Sequence, residues 1–281
     1  MKLSPNILRI LGQNPGKFTL QGPTSAFHSN SGTNTYLIGT GRKRILIDTG
    51  EGKEKYQSVL SNVLKEENCT IDKVLLTHWH RDHVGGTSQI KDLNSEATFS
   101  KCNSSDELSE YLPIKDGDIF EVDGVKLTAV HTPGHTTDHM VFFIEETGEL
   151  FTGDSILGQG TAVFENLSTY ISSLKRQLDL NPKILYPGHG PMISGSNARG
   201  KIQEYITHRQ QREDEIIKVM TDAGGEVTAM EIVKVIYARY PQSLWPAAEH
   251  SVLLHLNKLK DEGRTKAAED RWTLVSRQSA L

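Results

Sequence analysis

The sequence predicts an α+β fold: a four-layer αββα sandwich followed by a small winged-helix-like unit. Three observations lead there. Two successive series of short apolar strands are broken by turn residues and separated by helical stretches. The texture changes to helical spacing from about Lys201. Loops rich in His, Asp and Gly repeatedly follow the strands. Two β-rich halves whose faces must all be covered are satisfied when the sheets pack on each other and helices cover the outside.

The first series runs Ile7 to Leu11, Tyr36 to Ile38, and Arg44 to Ile47 ending at Asp48-Thr49-Gly50; a helix around Lys53 to Lys65 and a strand over Lys73 to Thr77 follow. The second series reads Ile119 to Val122, an Asp123-Gly124 turn, Val125 to Val130, Met140 to Glu145 and Glu149 to Thr152. A helix over Leu167 to Leu178 and a strand over Ile184 to Tyr186 complete it. Residues 1–200 are therefore assigned to a catalytic domain and 201–222 to a connecting helix that ends at Asp222-Ala223-Gly224-Gly225. Residues 223–281 form the second domain, with helical spacing over Val227 to Tyr240, a helical stretch from Leu244 and an apolar stripe over Ser251 to Lys260. A hairpin over Arg264 to Val275, with its polar tip at Ala267 to Asp270, supplies a two-stranded wing.

Lys and Arg number 31 against 35 Asp and Glu, a net charge of -4, so no global basic field favours non-specific nucleic-acid binding. Charge is also roughly balanced from Glu204 onward. That balance favours a capping or self-association role for the C-terminal unit over groove reading. Cys69 and Cys102 are too few for a disulfide scaffold and read as reduced thiols of an intracellular protein. No apolar run approaches the roughly 20 residues of a membrane span. The start of the chain carries Lys2 and Arg9 with no acid before Glu51, a partial match to a mitochondrial presequence, but Ile7 onward reads as a first strand.

Thr77-His-Trp-His-Arg-Asp-His83 is the most informative stretch, because His78, His80, Asp82 and His83 crowd four potential metal ligands into six positions. Imidazole and carboxylate suit zinc and also hold iron or manganese. The apolar run Val74 to Leu76 before it, and Gly85-Gly86 after it, read as a buried strand ending in a ligand-bearing loop. Three further candidates follow strands in glycine-framed loops: His135 in His131-Thr-Pro-Gly-His135, Asp154 in Phe151-Thr-Gly-Asp154, and His189 in Tyr186-Pro-Gly-His-Gly190. Glycine lets the backbone turn sharply and approach closely. A binuclear metal centre is the leading expectation.

With these motifs the chain resembles the metallo-β-lactamase superfamily, whose signature is H-x-H-x-D-H plus a distant His, a bridging Asp and a last His. The resemblance implies two Zn²⁺ per chain, with His78, His80 and His135 on the first, Asp82, His83 and His189 on the second, and Asp154 bridging. It implies that Asp48 is a buried carboxylate supporting the ligand loop, and the catalytic assignment falls on Asp154 and Asp82. In such sites the ions stand about 3.5 to 4 Å apart and lower the pKa of a bridging water towards about 7, so that hydroxide serves as nucleophile.

Asp138-His139-Met140, Gly153-Asp-Ser-Ile-Leu-Gly158, Tyr186 to Pro191 and His208-Arg209 narrow the resemblance, over essentially the whole chain, to the β-lactamase-like protein 2 family. That family implies cleavage of single-stranded RNA in the mitochondrial matrix, with no DNA or membrane partner. The alternatives are a glyoxalase II-like thioesterase or lactone/ester hydrolase, a mononuclear iron dioxygenase, and a non-catalytic RNA-binding scaffold, with the cytoplasm as alternative location. Arg81 is a candidate for substrate phosphate contact. Trp79 and Phe164 are aromatic candidates for base stacking or core packing, and His131 and His139 for packing behind the ligands. The chain departs from the family at Pro23 to Gly32, a Ser/Asn/Gly-rich insert with Phe27 and His28 that reads as a surface loop. Leu157 to Phe164 reads as a lid-like loop.

Overall fold

A computed structural model describes residues 1–15, 32–102 and 110–275. The chain divides into two compact units, 1–164 with 169–203, and 165–168 with 204–281.

In the first unit, strands β1 (Lys2–Ser4), β2 (Ile7–Leu11), β3 (Asn34–Ile38) and β4 (Lys43–Ile47) run antiparallel in sequence order. Helix α1 (Glu54–Glu66) then crosses over to β5 (Thr70–Leu76), which lies parallel to β4. Helices α2 (Arg81–Val84) and α3 (Thr87–Leu93) lead to β6 (Thr98–Lys101) and β7 (Leu112–Pro113), both added in parallel, which makes a seven-stranded sheet. The second sheet begins with β8 (Ile119–Val122), β9 (Val125–His131), β10 (Met140–Ile144) and β11 (Glu149–Gly153), again antiparallel. Helix α4 (Leu167–Asp179) returns the chain to β12 (Ile184–Pro187), parallel to β11, and β13 (Ile193–Ser194) closes the edge of six strands.

Alternation along the strands explains the layers. Tyr36, Ile38, Ile45 and Ile47 pack against Leu127, Ala129, Met140, Phe142 and Phe151 of the other sheet. Their neighbours Leu37 and Leu46 point the other way, onto Tyr56 and Leu60 of α1 and Ile90 of α3. Side chains of period two therefore build two cores from one run of apolar residues, which is why these strands read as continuous apolar stretches. The αββα expectation holds, and the strand positions hold to within a few residues. The sequence reading did not find β1, β6, β7 or β13, which are two to four residues long and too short to show a period.

The second unit corrects the expected boundaries. Helix α5 (Ser196–Ala223) starts five residues before 201, and the division into units falls at Gln203 and Glu204 within it. Its Ile216 and Met220 are core residues of the second unit, so this half is structural and not a mere connector. The expected helix over Val227 to Tyr240 is a strand β14 (Val227–Thr228) followed by α6 (Ala229–Ile236). Thr228 caps that helix from an extended backbone, with Glu231 reciprocating in a capping box, and this keeps the two preceding residues out of the helix. A 3-10 turn (Gln242–Leu244) runs directly into α7 (Trp245–Asp261), where two separate stretches were expected. Strands β15 (Thr265–Ala268) and β16 (Arg271–Leu274) make the hairpin, and β14 adds to β16 to give a three-stranded sheet where two strands were expected. Val227, Ile232, Val233, Val252, Leu256, Leu259 and Trp272 fill this core.

Candidate metal centre

The parallel strands β4 and β5 end side by side, with Ile47 opposite Leu75, and their C-terminal loops carry the first groups of the site. Asp48 stands just past β4 in a left-handed conformation, φ +59°. Its carboxylate accepts from the Thr77 backbone N–H at 2.8 Å, from Thr77 Oγ1 at 2.9 Å and from His83 Nδ1 at 2.7 Å. A strained turn residue is retained where the surroundings over-determine it, and here three bonds do so. Asp48 thus ties the entry of the His78 loop to the ring of His83. One correction concerns the local structure: Asp82 and His83 lie on the helical turn α2, whose N-cap is His80, and not in an irregular loop.

His135 comes from the β9–β10 connection, Asp154 directly follows β11, and His189 lies two residues past β12. Gly134 sits at φ +132°, where a Cβ would stand 2.3 Å from the Tyr170 Cα, so only glycine allows α4 to pack against this loop.

The seven predicted side chains converge as two groups, His78, His80, His135 and Asp154, and Asp82, His83 and His189, the candidate ligand atoms within each lying within 4.8 Å of one another. In the first, His78 Nε2 is 2.9 Å from His80 Nδ1 and 3.2 Å from His135 Nε2, which is 3.1 Å from His80 Nδ1. Zn–N bonds of about 2.0–2.1 Å at tetrahedral angles would space such nitrogens by about 3.4 Å, close to this triangle. In the second, His189 Nε2 is 3.2 Å from Asp82 Oδ2, and His83 Nε2 is 3.4 Å from the same oxygen. Asp154 faces both groups: Oδ1 is 3.4 Å from His83 Nε2, and Oδ2 is 3.2 Å from His189 Nε2 and 3.9 Å from His135 Nε2.

The outer ring nitrogens set the tautomers. His83 Nδ1 donates to Asp48, His135 Nδ1 to the Val163 carbonyl at 2.8 Å and His189 Nδ1 to the Gly32 carbonyl at 3.4 Å. His78 Nδ1 lies 2.9 Å from Thr77 Oγ1, whose proton is committed to Asp48. Each inner nitrogen is left to present a lone pair to a cation, the arrangement metal-ligating histidines use. The buried atoms His83 Nε2 and Asp154 Oδ1 have no hydrogen-bond partner among the described residues. A buried polar atom left unsatisfied is costly, and a bound cation would satisfy both. The donor set therefore fits a metal ion.

Burial alone would lower the pKa of His83 and His189, but Asp154, with Asp48 beside His83 and Asp82 beside both rings, outweighs it. His83 is held well above the ordinary histidine value and His189 is pushed up to about 9. Burial would raise Asp82 and Asp154, and the histidines override it, so both carboxyls stay well below the usual range. Buried His78 is held well below the histidine value by desolvation and by His83 and His135.

In the metal-free chain the raised pKa values of His83 and His189 stabilise the fold when the two rings are protonated. The stability they contribute is fully present below about pH 6.5 and is lost as pH rises through about 9 for His189. A cation must expel those protons, so its apparent affinity is expected to climb as pH rises towards about 9, the value for His189, roughly tenfold per unit for each proton released. Calorimetric titration of the metal-free chain in buffers of different ionisation heat measures this, and no proton release in that window would contradict it.

The remaining predicted residues are distributed as follows. Arg81 is exposed, with no ion pair among the described residues, and Trp79 is 52 % exposed and forms a T-shaped pair with the His80 ring at 4.5 Å. Phe164 is buried and stacked on Tyr170, which removes it from base stacking and makes it a packing residue. His139 is buried directly behind the site: its Nε2 accepts from the Asp154 backbone N–H at 3.2 Å and its Nδ1 lies 2.9 Å from Thr132 Oγ1. His131 bonds the Thr137 carbonyl at 2.9 Å. Leu157 to Phe164 is not a free lid, because Ala162 and Phe164 are buried and Val163 holds His135. The Pro23 to Gly32 insert, with Phe27 and His28, lies outside the described residues except for Gly32. Thr33, Asn14 and Asn34 also grip the site: Asn14 stands in no motif, while Thr33 and Asn34 open the Thr33-Asn-Thr-Tyr36 stretch that resumes the family pattern after the insert but names no site role.

Comparison with known proteins bears on this geometry. Residues 29–100 and 103–189 match the metallo-beta-lactamase superfamily, and residues 228–272 match the beta-lactamase associated winged helix domain. The chain belongs to the metallo-β-lactamase superfamily. Among metallo-β-lactamase relatives, it is 43 % identical to a beta-lactamase-like protein 2 homolog of Drosophila melanogaster, over 100 % of this chain and 97 % of that one. It is 44 % identical to the Caenorhabditis elegans homolog of the same name, over 93 % and 86 %. An atrochrysone carboxyl ACP thioesterase of Aspergillus fumigatus is 35 % identical over 96 % and 87 %. The same fold is seen in a metallo-beta-lactamase family protein of Thermus thermophilus, TM-score 0.73 at 23 % identity over 98 % of this chain and 100 % of that one. A beta-lactamase domain protein of Burkholderia ambifaria gives 0.77 at 18 %, over 98 % and 93 %. The chain is a metallo-β-lactamase superfamily hydrolase with a C-terminal winged helix domain and a His/Asp cluster able to bind metal.

Proposed function

We propose that the chain is a zinc-dependent endoribonuclease that cleaves phosphodiester bonds of single-stranded RNA with two ions bound. The observation that supports this reading most is Asp154, whose Oδ2 lies 3.2 Å from His189 Nε2 of one ligand group and 3.9 Å from His135 Nε2 of the other, so that one carboxylate faces both groups. Two ions, when bound, would supply Lewis-acid stabilisation of charge on a phosphoryl oxygen and a water acidic enough to act near neutral pH. His78, His80 and His135 would hold one, and Asp82, His83 and His189 the other.

Beside the cluster, Trp79 offers a half-exposed indole and Arg81 an exposed guanidinium without a partner among the described residues. A stacked base and a flanking phosphate are the ligands that such a pair takes. The full-length similarity to the proteins named beta-lactamase-like protein 2 homolog supports the same reading, and residence in the mitochondrial matrix belongs with it, to be tested by fractionation.

The second reading is a thioesterase, favoured by the Aspergillus relative of that name. Zinc-loaded protein assayed in parallel on labelled single-stranded RNA and on S-lactoylglutathione separates them. Turnover of the thioester with intact RNA would overturn the nuclease. On RNA, Trp79→Ala is expected to raise KM by about 5- to 100-fold with a smaller change in kcat, since base stacking contributes about 1–3 kcal/mol. An unchanged KM would remove Trp79 from substrate binding.

A further inference from the structure

The segment Gly32 to Asn34 grips one ligand group and leaves the other alone. Thr33 forms an antiparallel bridge with His189, and the Gly32 carbonyl accepts from the His189 ring. The Asn34 backbone N–H donates to the Gly188 carbonyl at 2.7 Å, and its side-chain amide donates to the carbonyls of Pro187 and Gly190, both at 2.9 Å. Among the described residues, none of the hydrogen bonds of these three residues goes to His78, His80 or His135.

Thr33 does more than brace the loop. It is fully buried, and its Oγ1 lies 2.9 Å from Asp82 Oδ2, the oxygen that faces both His83 and His189. The direction of that bond is fixed by a closed chain of donors. The Thr33 backbone N–H donates to Asn14 Oδ1 at 3.0 Å, so the other end of the amide, Nδ2, must be the atom 3.0 Å from Thr33 Oγ1. Nδ2 can only donate, the hydroxyl has a single proton, and that proton is left for Asp82. Asn14 in turn is cradled by glycine: a Cβ at Gly12 would stand 2.7 Å from its Oδ1, and one at Gly32 3.0 Å. Asp82 is the ligand candidate that needs such a hold, because its side chain is 27 % exposed and, unpinned, can turn to water.

We propose that Thr33, aimed by Asn14, is a positioning residue that decides whether the Asp82–His83–His189 group is filled, and so whether the chain carries one ion or two. The inference rests on the two-ion reading above. Neighbours that orient a ligating carboxylate are typically worth about 10- to 100-fold in metal affinity.

The test is metal content of the full chain, measured by mass spectrometry after zinc loading and dialysis against graded dipicolinate. Wild type is expected to hold two ions, and Thr33→Val to lose one at about 10- to 100-fold less chelator while keeping the other as firmly as wild type. Thr33→Ser, which restores the hydroxyl, is expected to behave as wild type. Asn14→Ala keeps the hydroxyl but frees its direction, and is expected to weaken the same ion; it decides the matter if Thr33→Val does not fold. Wild-type retention of both ions in Thr33→Val and Asn14→Ala, or equal loss of both ions, overturns the inference alone. A single ion in wild type overturns the two-ion reading together with it.

Discussion

Asp154→Ala is expected to hydrolyse RNA at least about 10³-fold more slowly than wild type and to bind fewer ions. The carboxylate stands between His83, His189 and His135, and no other acid among the described residues faces both ligand groups. Losing Lewis-acid stabilisation is worth several kcal/mol, and about 1.4 kcal/mol is a factor of ten. The substitution also removes the charge that does most to lift His189, so that its pKa should fall from about 9 towards the ordinary value. Single-turnover kinetics with metal analysis read both effects. Full RNA cleavage by the purified variant would mean that the activity belongs to a contaminating nuclease, and the proposed function would fall.

Gly188→Ala is expected to be nearly as damaging, although it adds one methyl group and removes no ligand. The new Cβ would stand 2.4 Å from Asp154 Oδ1 and 2.9 Å from the His83 ring. Neither neighbour can yield cheaply: His83 is tied to Asp48, and the Gly188 backbone N–H donates to the Gly153 carbonyl at 2.7 Å. The strain is on the order of 1–3 kcal/mol, and a displacement of about 1 Å at a catalytic group costs on the order of 10²-fold in rate. The expected result is a folded protein, a few degrees less stable, with turnover down by about 10²-fold or more. Wild-type kcat in this variant would show that the loop adjusts freely and that the close approach is incidental.

The parts of this molecule legible in the sequence share a physical cause. Strands buried on both faces announce themselves as apolar runs, as in Val74 to Leu76, and ligands appear as residue types that a strand end has no structural need for, as in His78 to His83. What stayed hidden depends on partners distant in the chain. Val227 and Thr228 become a strand only because Trp272 and Arg271 come to lie opposite them. Asn14 stands in no motif and the Thr33-Asn-Thr-Tyr36 stretch names no role, since the Thr33 hydroxyl gains its own only when Asp82, 49 residues on, is brought to meet it. Phe164 went to packing because Tyr170 lies parallel to it, a matter of helix placement that no local pattern carries. The partition of seven ligands into two groups came from resemblance, since spacing alone does not assign them.

The winged helix places its final strand in the centre of its sheet: β14 and β15 each pair with β16 and not with each other. Of these three strands the ribosome releases β16 last, so β14 and β15 wait unpaired until synthesis passes Leu274. Domains generally fold as units in the order they are made. The residues of the metal centre, complete by His189, are therefore available to fold well before the second unit can close. A premature stop between Gly263 and Trp272 would leave the whole ligand set in place while stripping the small domain of its middle strand and of buried Trp272. Such shortened chains should keep the capacity to bind metal and lose thermal resistance chiefly in the second unit, which makes the β15–β16 hairpin the natural place to separate metal chemistry from whatever the winged helix adds.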